Sequence, residues 1–115
     1  MDSLTSFRTK IKLLLSEIAD FERKDSPPSG VEPLLIFDEE RDCYLLYSVG
    51  WTRKHRVSSV AIFIRIIDGE IWVEEDWTQE EVAQRLMDSG IPKDVFRFGF
   101  HDPLLVEKLQ TAAVA

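Results

Sequence analysis

The sequence predicts an α+β fold. Residues 1–115 form a single compact domain, an antiparallel β-sheet with helices packed on one face, in the order α-β-β-β-β-α-β-α. Three observations predict it. Leu4, Phe7, Ile11, Leu14, Leu15, Ile18 and Phe21 recur at spacings of three and four, the stripe of an amphipathic helix that needs something to pack against. Val60, Ile62, Ile64 and Ile66 alternate with Ser59, Ala61, Phe63 and Arg65, as in a half-buried strand. Asp68-Gly69 then supplies the left-handed backbone of a type I′ hairpin turn.

Each element follows from local chemistry. Ser3 or Asp2 can cap the first helix. The run Lys24–Gly30, KDSPPSG, stops it, because its prolines and glycine cannot continue a helix. Val31–Phe37 is the first strand, and Pro33 marks a strand edge or start. Asp42–Val49 is the second strand and Arg56–Ile67 the third. The Asp68-Gly69 turn pairs Ile67 with Glu70, and therefore Ile66 with Ile71, Arg65 with Trp72 and Ile64 with Val73. Ile62, Ile64, Ile66, Ile71 and Val73 then share the face where the helices pack. Thr78-Gln79-Glu80-Glu81 reads as a capping box opening a second helix, with Val82, Ala83, Leu86 and Met87 on its buried side. Gly90 and Pro92 end it. Lys93–Phe100 is strand-like, with Phe96, Phe98 and Phe100 on one face, and Asp102-Pro103 starts a short last helix.

Composition narrows the function. The net charge of −7 argues against autonomous DNA binding, which draws on phosphate neutralisation, and favours a protein partner. No apolar run approaches the roughly 18–20 residues that span a bilayer. The N-terminal apolar residues are spaced, unlike a secretory signal, so no membrane association and a cytoplasmic location are expected. The lone Cys43 allows neither an intramolecular disulfide nor a cysteine-based zinc site, and is expected to act as a small hydrophobe in a strand. Phosphate-loop, dinucleotide, HExxH and GxSxG patterns are missing, so the expectation is no cofactor, no metal site and no catalytic residue.

Several residues still invite a functional reading. Asp38, Glu39, Glu40 and Asp42, in FDEERD, lie between two strands and read as a solvated turn, since consecutive turn residues point in different directions and do not converge on a metal. His101 beside Asp102, or with Glu74–Asp76, would be the acid–base group of a small enzyme. Arg53, Lys54, His55 and Arg56 form the best anion site, sufficient for weak, salt-sensitive nucleic-acid contact. If helices cover one sheet face, the other carries Ala61, Phe63 and Trp72, with Arg65 facing Trp72 and with Trp51 and Trp77 at strand ends. That composition suits a protein interface, and a homodimer through the Phe63/Trp72 face or the tail 111–115 is expected.

Longer motifs carry a resemblance. MDSLTSFRTKIKLLL, then LIFDEERDCYLLYSVGW, then IRIIDGEIWVEEDWTQEEVAQRLMDSGIPKDVFRFGFHDP, and the final AVA follow one another as in the XisI family, the excision controlling factors of the fdxN element. This chain resembles that family over nearly its whole length. It departs at Ala112, where the family tends to have Phe, and at Leu109, where Tyr is common. The resemblance implies an accessory role in programmed, site-specific DNA excision beside a recombinase. It also implies a companion, XisH, whose family looks nuclease-like. It supplies no catalytic residues.

Overall fold

The computed structural model describes residues 3–25 and 30–100. Helix α1 (Ser3–Asp25) precedes four strands, β1 (Val31–Asp38), β2 (Cys43–Trp51), β3 (Arg56–Ile67) and β4 (Glu70–Asp76). Helix α2 (Val82–Asp88), a 3-10 turn at Lys93–Val95 and a short β5 (Phe96–Phe98) follow. The expected last helix, the tail and His101 lie outside the described residues. No described helix is long and apolar enough to cross a membrane.

The sheet order is β1-β2-β3-β4-β5. The first four strands form an antiparallel meander, and β5 joins the edge parallel to β4, so the sheet is not purely antiparallel. A parallel neighbour needs a crossover connection, and α2 provides it. The expected β3–β4 register holds at every pair, from Ile67↔Glu70 to Ile64↔Val73. Ile62, Ile64, Ile66, Ile71 and Val73 are all buried, in one core with Phe7, Ile11, Leu15 and Ile18 of α1 and Val82 and Leu86 of α2.

Further expectations need correction. Phe21 is 59% exposed; it borders a shallow cleft beside Arg85 of α2 and not the sheet. Helix α1 also runs two residues into the KDSPPSG stretch, through Lys24 and Asp25. The β3 alternation is broken by a bulge: Leu46 pairs with Ile62 but Tyr47 with Val60, leaving Ala61 as the extra residue. Val60 is therefore out of phase with Ile62. The strand at Lys93–Phe100 is reduced to three residues, with Phe96 buried, Phe98 half-buried and Phe100 54% exposed.

The capping box is not used. Glu81, at the N-cap of α2, sits in the left-handed region (φ 51°), and no side chain caps the helix from that position. Asp76 captures the local donors instead. Its Oδ1 accepts the Thr78 backbone N–H at 2.9 Å and the Thr78 hydroxyl at 2.6 Å. Thr78 Oγ1 then accepts from the Glu80 N–H at 3.2 Å. A strand-end carboxylate thus displaces the threonine from its expected role.

Candidate interaction surfaces

Both helices lie on the face bearing Tyr44, Leu46, Ile62, Ile64 and Ile71. Strand alternation and the registers place Leu34, Ile36, Leu45, Tyr47, Phe63, Arg65, Trp72, Glu74 and Arg97 on the opposite face. No described helix covers it. Leu34 and Ile36 are 36% and 46% exposed, while Leu45, Phe63 and Trp72 are half-buried by their own neighbours. Arg65 does face Trp72 as expected, but its guanidinium is held by Glu74, with Nε and Nη2 at 2.9 and 2.7 Å from Oε2. Arg97 pairs with Glu70. These ion pairs border the apolar patch along β4 and β5. The Trp72 indole N–H is buried and has no acceptor among the described residues.

The FDEERD stretch is a turn, and its carboxylates divide by role. Glu39, Glu40 and Arg41 are exposed. Lys12 pairs with Glu39, and Arg41 with Asp38 at 3.0 Å. The Arg41 backbone N–H and guanidinium hold the Asp38 carboxyl below its usual range. Asp42 turns inward. It receives Arg8 Nε at 2.7 Å and Nη2 at 3.1 Å, and the Tyr44 hydroxyl at 2.8 Å. The Arg8 hydrogen bonds depress the Asp42 pKa, whereas burial and the Asp42 carboxylate push the Tyr44 phenol up. Asp42 is thus the anchor between α1 and the β1–β2 turn, not merely a solvated charge. Sequence reasoning missed this role, because Arg8 lies 34 residues away in the chain.

The basic run occupies the β2–β3 turn. Thr52 organises it. The Thr52 N–H donates to the His55 carbonyl at 2.9 Å, and Thr52 Oγ1 accepts the Lys54 and His55 N–H groups at 3.2 and 3.1 Å. The His55 ring Nδ1 lies 3.3 Å from the same hydroxyl. Trp51 and Arg56 are the closing cross-strand pair, and the Arg56 guanidinium carbon sits 5.6 Å from the centroid of the indole.

Trp77 is 77% exposed and donates its indole N–H to Glu75 at 2.9 Å. It edges a cleft of about 660 Å³ with Ala61, Ser59, Thr78 and Glu22. Burial raises the Glu22 carboxyl, and Glu80 nearby adds to the shift. The structure does not assemble Glu74–Asp76 into a carboxylate pair: Glu74 binds Arg65, Glu75 binds Trp77 and Asp76 binds Thr78. Among the described residues no group of three or more His, Cys, Asp or Glu converges as a metal site. Cys43 starts β2, half-buried.

Comparison with known proteins places this fold. The family model for the XisI protein matches residues 1–113. No curated protein matches. Among solved structures, the chain is similar to the fdxN element excision controlling factor XisI from Anabaena variabilis ATCC 29413. That pair shares 35% identity over 89% of this chain and 96% of the other, with a TM-score of 0.76. A XisI-like protein from the same organism is 28% identical over 85% and 90% of the two chains, with a TM-score of 0.70. With a family model spanning nearly the whole sequence and a fold shared with these relatives at TM-scores of 0.76 and 0.70, this chain belongs to the XisI family.

Proposed function

We propose that this chain is an accessory factor in the control of DNA-element excision, acting by holding another protein chain and not by catalysis. The solved relative described as an excision controlling factor supports the role. The contact reading rests on one observation, the apolar sheet face that no described helix covers. Its first occupant in this reading is a second copy of the chain. Four strands at about 4.8 Å spacing and about six residues of length give a footprint of roughly 20 × 20 Å, about 400 Å² per subunit before side-chain relief. A twofold contact doubles it, which brings the total near the lower bound of about 1,000 Å² for a stable interface. An XisH-like companion and a site-specific recombinase, which the family resemblance implies, are the further partners of such a dimer.

Light scattering tests the dimer. The wild type should be dimeric at tens of micromolar, and Trp72→Glu should be monomeric with its fold intact by circular dichroism. A monomeric wild type refutes the second-copy contact, and a dimer indifferent to Trp72→Glu relocates it. In a host carrying an excisable element, Trp72→Glu should also abolish the excision junction detected by amplification.

A further inference from the structure

The basic turn gathers several cations that no carboxylate among the described residues meets. Arg8, Arg23, Arg41, Arg65, Arg85 and Arg97 each meet a carboxylate. Among the described residues, Arg53 and Arg56 do not, and neither does Lys54. Three unneutralised cations therefore fall within four residues of a chain whose net charge is −7. The nearest carboxylate by register is Glu32, opposite Val49. The β4 carboxylates begin at Asp76, opposite Ile62. Six residues of strand separate Ile62 from Arg56, about 20 Å, which is beyond the screening length of about 8 Å at physiological salt. Glu22 and Glu80 line the cleft that reaches Val57, but residues 51–56 themselves hold three cations and no carboxylate.

Beside these cations lies an aromatic platform. Trp51 is 61% exposed, with Arg56 over its ring. The turn is rigid without any of the basic side chains, because Thr52 holds it through backbone groups. We propose that this turn is a contact for single-stranded nucleic acid. Arg53, Lys54 and Arg56 meet successive phosphates, and an unpaired base stacks on the exposed part of the Trp51 indole. Cations alone would suit any polyanion. The indole is what selects a strand with unstacked bases over a duplex or an acidic peptide. This contact is independent of the sheet-face dimer, since the turn is complete within one chain.

The test is fluorescence anisotropy with a labelled oligothymidylate of roughly 12 nucleotides, a duplex of the same length and a polyglutamate peptide. Three phosphate contacts on a single strand predict about a twentyfold loss of affinity between about 50 and about 200 mM salt. Trp51→Ala should weaken oligothymidylate binding roughly five- to hundredfold, the range for one base stack, and leave duplex binding unchanged. Trp51→Phe, which keeps a π face, should retain most of it. The triple variant Arg53→Gln, Lys54→Gln, Arg56→Gln should lose both nucleic acids while melting at the wild-type temperature. Absence of oligothymidylate binding at about 50 mM salt overturns the proposal. So does polyglutamate binding of equal strength, which assigns the turn to an acidic protein, or a Trp51→Ala variant that binds like wild type.

Discussion

Replacing Asp42 with alanine should destabilise the fold by about 3 kcal/mol, and the magnitude can be assembled from its contacts. The Asp42 side chain is 18% exposed and that of Arg8 is 32% exposed, so their bidentate pair is half in water and contributes about 1 kcal/mol. The Tyr44 side chain is fully buried, and removing its acceptor strands a phenolic hydroxyl at a cost of about 1–2 kcal/mol. Asp42 also has φ of 51°, which alanine tolerates less well than aspartate or asparagine, adding a fraction of the roughly 1–2 kcal/mol left-handed penalty. Asp42→Asn keeps the backbone preference and an acceptor for Tyr44, so it should cost only about 1 kcal/mol. Thermal and urea unfolding would show these losses as drops of about 4 °C per kcal/mol for a domain of this size. The pH dependence has a definite sign. The folded-state pKa of Asp42 is lowered, so its contribution is complete above the unfolded value of about 3.9 and is lost as the pH falls through the folded value. Arg8→Met should therefore approach wild-type stability only once the pH has fallen below the depressed folded-state pKa of Asp42. An Asp42→Ala loss within about 0.5 kcal/mol would refute the anchor and reduce the cluster to a surface ion pair.

Two further substitutions test the structural reading. Asp76→Ala should cost about 1–2 kcal/mol in urea unfolding, more than Glu81→Ala, because Asp76 and not a capping box holds the approach to α2. Gly50→Ala should cost on the order of 3 kcal/mol by thermal melting, since a Cβ there would sit 1.8 Å from the Gly30 carbonyl oxygen at φ of 149°.

The legible parts of the fold were those fixed by short-range pattern. The Asp68-Gly69 turn sets the β3–β4 register by itself, so Arg65↔Trp72 could be read without any distant contact. The α1 stripe was legible from Phe7 to Ile18, where it faces the sheet, and not at Phe21, where the neighbour is Arg85 of α2. The Ala61 bulge leaves no local signature, so the phase of Val60 was misread. The capping-box pattern at Thr78 was present but lost to Asp76, a stronger acceptor two residues earlier. Of the interaction residues, Arg53–Arg56, Phe63, Arg65, Trp72 and Trp77 were all placed in their turn or strand by sequence. What made each distinctive was not legible: Glu74 on Arg65, Glu75 on Trp77 and Arg56 on Trp51 are decided by cross-strand register and rotamer.

The Arg8–Asp42 link also has a consequence for how the protein is made. The ribosome delivers α1 before any of the sheet that will cover it. Asp42 follows Arg8 by 34 residues, which is about 2–7 s of synthesis at typical elongation rates. During that interval Phe7, Ile11, Leu14 and Leu15 have no sheet face to bury against, so the nascent helix carries an adhesive stripe until β1 and β2 emerge. Slowing translation within residues 43–67 should therefore lower the soluble yield, whereas the same pause within residues 77–92, after the meander is complete, should be tolerated.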